Sequence, residues 1–486
     1  MKKVFSIGFV IVLLVATASM ASAQLGTTDR SSFAIQNLGG DTATVSVTFY
    51  EEDGAAHTPN DLGAGQSNPF TLGTGEGWEI YVPGIPDTQL PDGRYSVVIE
   101  STEPIAVISN LIGDTATFSF NGSYSGFDEG GQMVYLPSIF YNYYGWYSMV
   151  SVQNVTANTV DVDVKYYNGS THIATHSVTG LAGYASEHFD WETNPPTAVA
   201  GQSLPGKDTT PLSAVVEVVG GTGSVVAVDN QTVPTSGYMQ SYNGFLEGSQ
   251  TRYAPSLFNS YYGWFSSLLV QNVGAAAATV TVDYNDSVAD DTFTLQPKEA
   301  KQLIYRNDST PGHGVETVFG ATISAANATD EIVAIVNQAS WPDAATFAHS
   351  DQAQTYNTFA MGYNDWGLPS IFQKYYNWDT SFSILNVSGG SATVDITYSA
   401  NQNPGGAAWG GCTFSKTLAD GESVEYYQPN HVTGPPTGCT ALPNDYQGSV
   451  TLSSTGAIVA QVNETNDFEK AGTGGDWSMS YNGFGQ

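Results

Sequence analysis

Apolar and polar residues alternate with a period of two in short runs along this chain. Clear examples are residues 44–50 (TVSVTFY), 160–167 (VDVDVKYY), 279–284 (TVTVDY) and 393–398 (TVDITY). Alternation of β-branched and aromatic residues with polar residues is typical of a β-strand that has one buried face. No run sustains the 3.6-residue apolar period of an amphipathic helix. The pattern therefore predicts an all-β protein.

These runs recur at a nearly constant spacing, which divides the chain into four units. The Asn that precedes each run stands at positions 37, 154, 272 and 386, in steps of 114 to 118 residues. A period of this size indicates repeated whole domains, because solenoid repeats are about 20–50 residues long. The predicted β-sandwich repeats are residues 24–131, 132–249, 250–363 and 364–486.

Each unit contains about six or seven short strand patterns, and turns rich in Gly, Pro and Asn separate them. Hairpins are indicated where a short turn splits two runs, as at 73–75, 296–298 and 419–421. This organisation is typical of an antiparallel β-sandwich of immunoglobulin-like size. Because four such units follow one another along the chain, we expect them to form a rod.

The N-terminal segment 1–23 has the features of a secretory signal peptide. Lys2 and Lys3 precede an apolar run at 4–16, and residues 21–23 (ASA) form a small-x-small cleavage site. The apolar run is too short to span a membrane comfortably, and no later run approaches about 20 apolar residues. We expect a protein that is secreted or located at the cell surface, without a transmembrane segment.

The charge of the chain limits its partners. Acidic residues outnumber basic residues 46 to 13, which gives a net charge of −33 although only 12% of residues are charged. Such a surface lacks the cations that nucleic-acid phosphates and anionic membranes require, so we expect no nucleic-acid partner. It is compatible with bound Ca²⁺ and also with a simpler role in solubility.

The two cysteines of the chain both lie in its last quarter, at Cys412 and Cys439. In an exported protein, such a pair predicts one structural disulfide that closes a long loop. We therefore expect this loop to belong to the fourth repeat.

Motifs of common catalytic and cofactor sites are absent from the sequence. It contains no Gly-x-Ser-x-Gly elbow, no His-Glu-x-x-His and no phosphate-binding Gly loop. Asp161 and Asp163 alternate with valines, so both carboxylates share one face of a strand. A divalent cation would relieve their repulsion, and a solvated acidic face is the other interpretation. We expect no enzymatic activity and no cofactor, with these two residues as calcium candidates.

An aromatic junction, Pro-Ser-x-Phe followed by Tyr-Tyr-x-Trp, occurs three times. In one interpretation the rings pack between neighbouring sandwiches and stiffen the rod, because aromatic rings bury a large area. In the other they form an exposed platform that stacks on sugar rings. The junction aromatics are Phe140, Tyr143, Tyr144, Trp146, Phe258, Tyr261, Tyr262, Trp264, Phe372, Tyr375, Tyr376 and Trp378.

A signal peptide followed by tandem acidic β-sandwiches resembles the repeat regions of bacterial secreted and cell-surface proteins, such as adhesins and S-layer components. The resemblance covers the chain after residue 23 and concerns its layout. It implies a non-enzymatic structural or adhesive protein whose partner is an extracellular polymer or another copy of itself. Self-assembly is part of this expectation, because unpaired edge strands can be completed by another chain. The alternative is an array of carbohydrate-binding modules that use exposed Tyr and Trp platforms.

Overall fold

The chain folds into antiparallel β-sheets, which confirms the all-β class predicted from the alternating pattern. In the strand Val160–Asn168, for example, every valine of the pattern is buried and the intervening residues are partly or fully exposed. The computed structural model describes residues 10–14, 28–114, 118–206, 210–261, 263–285, 288–306, 313–314, 317–340, 352–403, 405–466, 474–476 and 478–485.

The strands of the first repeat, called unit 1, lie in two sheets with the orders β1-β7-β3-β4 and β9-β8-β2-β6. The short strand β5 pairs with β3, and a 3-10 turn at Val82–Gly84 follows β6. The bounds are β1 (Val10–Leu14), β2 (Thr28–Asn37), β3 (Ala43–Tyr50), β4 (Ala56–His57), β5 (Phe70–Leu72), β6 (Gly77–Tyr81), β7 (Ser96–Ser101), β8 (Ile105–Asp114) and β9 (Phe118–Ser125).

Unit 2 repeats this arrangement with the sheets β10-β17-β13-β14-β16 and β11-β12-β18-β19, and β15 pairs with β12. Its strands are β10 (Met133–Ile139), β11 (Tyr141–Tyr143), β12 (Trp146–Asn154), β13 (Val160–Asn168), β14 (Thr171–Leu181), β15 (Ser186–Asp190), β16 (Thr197–Ala198), β17 (Leu212–Val219), β18 (Val225–Val233) and β19 (Tyr238–Asn243).

Unit 3 has the plainest form of the sandwich, with the sheets β20-β25-β22-β23 and β24-β21-β26-β27. Its strands are β20 (Thr251–Asn259), β21 (Trp264–Asn272), β22 (Ala278–Tyr284), β23 (Asp291–Leu295), β24 (Ala300–Tyr305), β25 (Thr317–Ala325), β26 (Ile332–Ser340) and β27 (Ala353–Asn357).

Unit 4 differs because its long strand β33 runs through both sheets and joins them. A six-residue helix, α1 (Gln428–Thr433), follows β32. The strands are β28 (Tyr363–Gln373), β29 (Trp378–Asn386), β30 (Ala392–Tyr398), β31 (Cys412–Leu418), β32 (Ser423–Tyr427), β33 (Tyr446–Asn466), β34 (Gly474–Gly475), β35 (Ser478–Asn482) and β36 (Phe484–Gly485).

The edge next to β7 in unit 1 is occupied by β1, which lies inside the predicted signal segment. Units 2 to 4 place the strand that carries Pro-Ser-x-Phe at this edge, where β10 pairs with β17 and β20 pairs with β25. In unit 1, β1 pairs with β7 from Val10 opposite Ser101 to Leu14 opposite Val97. The rest of the predicted signal segment, residues 1–9 and 15–23, lies outside the described residues.

The repeated Asn fixes the end of one strand to a hairpin turn in every unit. Asn154 Nδ2 donates to the carbonyls of Asn158, Leu181 and Ala182 at 2.7, 3.2 and 2.9 Å. Its Oδ1 accepts the backbone N–H of Thr156 at 2.9 Å. The Asn residues at 37, 272 and 386 make corresponding bonds. The strongest sequence repeat is therefore explained by a structural role.

The four sandwiches close into a ring, so the predicted rod is wrong. The hydrophobic core of unit 1 continues into unit 2 through Val226 and Val228, and the core of unit 2 continues into unit 3 through Leu269. The core of unit 4 includes Ile108 of unit 1, and β34 pairs in parallel with β9. Units 1 and 4 could not meet in this way at the two ends of a rod.

The ring forms because the last strand of each unit turns toward a common axis. There β9, β19, β27 and β35 lie side by side, and equivalent residues face one another. The N–H of Ser125 donates to Asn243 Oδ1 at 3.1 Å, while Asn243 Nδ2 donates to the Ser125 carbonyl at 2.6 Å. Asn243 is joined to Asn357, and Asn357 to Asn482, by the same pair of bonds. These side chains replace the backbone bonds that a sheet would supply.

One end of the axis holds the buried carboxylate of Asp476. It accepts hydrogen bonds from the N–H groups of Met239 and Ala353 at 2.9 Å and from the N–H of Ser478 at 3.0 Å. The Ser478 hydroxyl adds a fourth bond at 2.9 Å. Burial raises the pKa of Asp476, and the four donors oppose that rise because they favour the ionised form. Asp476 therefore joins units 2, 3 and 4 at one point.

Candidate functional site: the aromatic loops

The junction aromatics lie in three loops, each of which connects the Pro-Ser-x-Phe strand to the next long strand. We call residues 140–146, 258–264 and 372–378 the aromatic loops. In the third loop the backbones of Tyr375 and Trp378 exchange hydrogen bonds of 3.2 and 2.9 Å, which closes a two-residue hairpin turn. Both residues inside this turn have positive φ, 47° at Tyr376 and 67° at Asn377. These are the signs of a type I′ turn, which normally favours Asn or Gly at both positions.

The second Tyr of the motif projects from this turn into solvent. Tyr144 is 69% exposed and Tyr376 is 74% exposed, the two highest values among the large hydrophobic side chains of the described residues. Tyr144 has φ of 50°, close to the value at Tyr376. A large side chain in this left-handed region is uncommon and carries backbone strain. The third copy, Tyr262, lies outside the described residues.

The other rings of each loop support the exposed Tyr. In the first loop Phe140 is buried and stacks on Tyr143 with ring centres 5.3 Å apart. Tyr144 then stands edge-on to Tyr143 at 4.9 Å. The pairs Phe258–Tyr261 and Phe372–Tyr375 stack in the same way, at 5.6 and 5.4 Å. The Phe ring therefore anchors the loop, and the second Tyr is displayed on it.

The three tryptophans of the loops, Trp146, Trp264 and Trp378, are partly buried. Trp146 packs against Tyr238 of its own unit with ring centres 5.6 Å apart. Most ring contacts of the loops therefore lie within one unit. The exposed part of each loop is its second Tyr, and the Trp is not the main platform.

The first and third loops also approach a neighbouring unit, and we call the surface between two neighbouring units a seam. The hydroxyl of Tyr143 in unit 2 donates to Gln302 Oε1 in unit 3 at 3.0 Å. By strand register, Glu79 of unit 1 occupies the position that Gln302 has in unit 3. Burial raises the pKa of Tyr375 in the third loop to about 12, and the charge of Glu79 contributes to this rise. Two residues further along the same strands, Ile304 and Tyr81 are 44% and 45% exposed. The strands next to the first and third loops, β24 and β6, therefore each carry an exposed apolar side chain.

A buried acid distinguishes unit 4 near its seam with unit 1. Glu464 is fully buried, and burial raises its pKa from the ordinary 4.5 to about 8. Units 2 and 3 carry Gln231 and Gln338 at this position, and their Nε2 groups donate to the carbonyls of Ser138 and Ser256 at 2.9 and 3.1 Å. A protonated Glu464 offers the same kind of donor, whereas an ionised one does not.

The calcium candidates Asp161 and Asp163 already have hydrogen-bond partners. Asp161 Oδ1 accepts the N–H of Gly180 at 2.7 Å, and Asp163 Oδ1 accepts the hydroxyl of Ser177 at 2.6 Å. Within the described residues, neither belongs to a group of three potential metal ligands. Among the residues that the structure describes, no built cation site surrounds this pair.

Cys412 and Cys439 are joined in a disulfide with their Cα atoms 5.5 Å apart. His431 lies beside them, and these three side chains are the one group of potential metal ligands found in the described part of the chain. Because both sulfurs are bonded to each other, neither is available as a thiolate ligand. The disulfide ties β31 to the segment after α1, which is a structural role.

Sequence reasoning identified the aromatic motif but did not distinguish its two tyrosines. It also missed Gln302 and Glu79, which lie far from the loops along the chain. One local signal was present, because a Tyr followed by Gly or Asn fits the two central positions of a tight turn. A Tyr at the first of those positions must point away from both strands.

No protein-family model and no curated protein matches the chain. Among solved structures it is similar to Thermotoga maritima 1070, with 15% identity over 26% of this chain and 96% of that one, at a TM-score of 0.19. The Anabaena sensory rhodopsin transducer shows 16% identity over 20% of this chain and 92% of that one, at 0.16. The major pilin of Streptococcus pyogenes shows 10% identity over 63% and 98%, at 0.12. All three TM-scores lie below 0.5, so none bears on function.

Proposed function

We propose that this chain is a non-enzymatic adhesive protein of the cell exterior that binds an extracellular glycan through its aromatic loops. The observation that carries the proposal is the display of Tyr144 and Tyr376 at equivalent positions of units 2 and 4. Both rings are largely exposed on strained backbone. A side chain that only packed between domains would not need such exposure, and strain of this kind is retained where function requires it.

A sugar is the ligand class that this surface favours. A Tyr ring offers an apolar face to the C–H groups of a sugar and a hydroxyl to its polar groups. The net charge of −33 disfavours polyanions, which leaves neutral or amine-bearing glycans. The placement outside the cell is supported by the signal-like segment at residues 1–23 and by the disulfide. No helix in the described residues is long and apolar enough to cross a membrane.

The ring makes the proposed binding multivalent. Units 2 and 4 lie opposite each other, so Tyr144 and Tyr376 are presented on opposite sides of one closed frame. Two weak contacts on one polymer act together, because the second binds at a high effective concentration. We expect single contacts to be weak and the whole molecule to hold extended polysaccharides well.

The test is a binding assay of the full chain on insoluble neutral polysaccharides, with Tyr144→Ala, Tyr376→Ala and the double variant. Each single change should weaken retention about tenfold, and the double change should bring it close to background. Tyr363→Ala is the matched control, because this exposed Tyr lies at the opposite end of β28 from the third loop. Equal retention of the double variant and the unmodified chain would refute a binding role of the loops.

Self-association is a second candidate function, favoured by the position of β1. If the predicted signal segment is removed, the edge of β7 that pairs with Val10–Leu14 is left open. An open strand edge can accept a strand from another chain. Sedimentation of residues 24–486 should then show a mass that grows with concentration, unlike the chain that retains residues 1–23. A constant monomer mass for residues 24–486 would exclude this role.

A further inference from the structure

The seams between neighbouring units share one construction. A hairpin turn of units 2, 3 and 4 contacts the preceding unit, and the third residue of this turn has a left-handed backbone. Between units 1 and 2 this residue is Tyr184 (φ 63°), whose ring centre lies 5.0 Å from that of Tyr50 and whose carbonyl accepts the Ser96 hydroxyl. Between units 2 and 3 it is Lys298 (φ 70°), whose carbonyl accepts the Ser213 hydroxyl at 2.6 Å. Large side chains therefore fill both seams.

The seam between units 3 and 4 lacks these side chains. Gly421 (φ 70°) stands at the position of Tyr184 and Lys298, and Gly320 stands at that of the two serines. Asn285 replaces Tyr50, and its Nδ2 makes a 3.1 Å bond to Ser423 Oγ across the seam. The missing side chains leave a groove of about 880 Å³ between the two units, which we call the 3/4 groove.

The walls of the 3/4 groove are polar and acidic. Asp283, Asp420 and Glu422 line it together with the partly buried ring of Tyr253, whose pKa is raised by burial and by the charge of Asp420. The described residues that line the groove include no Lys, Arg or His. Lys416 lies 3.8 Å from Glu422, whereas Asp283 and Asp420 form no ion pair among the described residues. The groove therefore offers negative charge, amide and hydroxyl groups, and the aromatic rings of Tyr253, Tyr284 and Phe319.

We propose that the 3/4 groove binds an amine-bearing sugar. The volume lies within the range of about 300–1,000 Å³ that is usual for small-molecule sites, and it is too large for a bare cation. The carboxylate of Asp283 suits a protonated amino group, as does the second oxygen of Asp420, whose Oδ1 accepts the N–H of Gly389 at 2.9 Å. The ring of Tyr253 also attracts such a group. Asn285 and Ser423 suit sugar hydroxyls. An apolar amine fits less well, because the lining is mostly polar.

This site is separate from the aromatic loops. The groove touches the end of β29 at Asn386, whereas the third loop joins the start of the same strand at Trp378. A nine-residue strand spans about 27 Å, so one sugar cannot contact both sites. Binding in the groove therefore does not depend on the proposed function of the loops.

The experiment is titration calorimetry of the full chain with glucosamine disaccharide as the probe and cellobiose as its uncharged match. We expect one site that binds the amine-bearing disaccharide at least tenfold more tightly than cellobiose, and less tightly as salt rises. Gly421→Tyr should abolish this binding by filling the groove, and Asp283→Asn should weaken it about tenfold. Gly75→Tyr is the control: it places the same ring at the equivalent turn position of unit 1 and should leave binding of the glucosamine disaccharide unchanged.

The variants are chosen so that loss of folding cannot imitate loss of binding. Tyr184 shows that the left-handed turn position accepts a Tyr, and Asp283 is an exposed side chain. Failure of the chain to bind the glucosamine disaccharide, equal binding of cellobiose, or full displacement by Ca²⁺ alone would each overturn the proposal. So would unchanged binding by Gly421→Tyr. The Tyr144→Ala/Tyr376→Ala double variant should retain groove binding even if its retention on polysaccharide is lost.

Discussion

The axis of the ring and its aromatic loops use the same repeat in opposite ways. At the axis Asn243, Asn357 and Asn482 are half-buried and satisfy one another across unit boundaries. At the loops, equivalent Tyr side chains are strained and point outward. Equivalent positions of the units therefore close the ring at the axis and display side chains to solvent at the loops. Stability should therefore depend on the axis, and binding on the loops.

The largest effect is expected from Asp476→Ala at the axis. This change leaves four buried donors from three units without an acceptor, which should reduce the free energy of unfolding by about 3 kcal/mol or more. Chemical denaturation measures the loss. Asp476→Asn keeps one acceptor oxygen and should cost less. If the Ala variant unfolds at the same denaturant concentration as the unmodified chain, Asp476 does not hold the axis together.

A smaller, pH-dependent effect is expected from Glu464. Its folded-state pKa of about 8 exceeds the ordinary 4.5, so the folded state binds more protons between these values. Stability is therefore fully present below about pH 4.5 and is lost progressively as pH rises through 8. Denaturation midpoints across this range measure the slope, and Glu464→Gln should flatten it.

The pH dependence of Glu464 can be checked with a matched variant in unit 3. Gln338→Glu places the same acid at the equivalent site of unit 3 and should create a similar loss of stability at high pH. Burial also raises the pKa of Asp229 to about 7, so this residue lowers the stability of every variant as pH rises. The quantity to compare is therefore the difference in stability between variants at each pH. If plots of stability against pH run parallel for Glu464→Gln and the unmodified chain, Glu464 does not titrate in this range.

The smallest effect concerns the strain at the aromatic loops. Asn tolerates the left-handed backbone better than Tyr, so Tyr144→Asn should raise the free energy of unfolding by about 0.5–1 kcal/mol while it weakens polysaccharide binding. Thermal unfolding and the polysaccharide assay measure the two changes. Tyr144→Phe keeps the ring and should leave stability unchanged. A Tyr144→Asn variant that is less stable than the unmodified chain would mean that the exposed ring contributes to packing.

The class of the fold could be read from the chain because it depends on local patterns. The valines of β13 alternate with polar residues, and this alternation alone determines which face of the strand is buried. The aromatic motif was equally visible, since it is contiguous. Its partner Gln302 was not, because Tyr143 and Gln302 are 159 residues apart and belong to different units.

The sequence by itself determined the strands, the repeat and the cysteine pair, because alternation, spacing and composition are properties of neighbouring residues. Only the tertiary structure decided that the units form a ring, that Tyr144 and Tyr376 are displayed, and that a groove remains at Gly421. Each of these depends on the relative position of units whose contacting residues are far apart along the chain. A repeat pattern is identical for a rod and for a ring, and the difference comes from side chains such as Asn243 and Asp476 that find partners in other units.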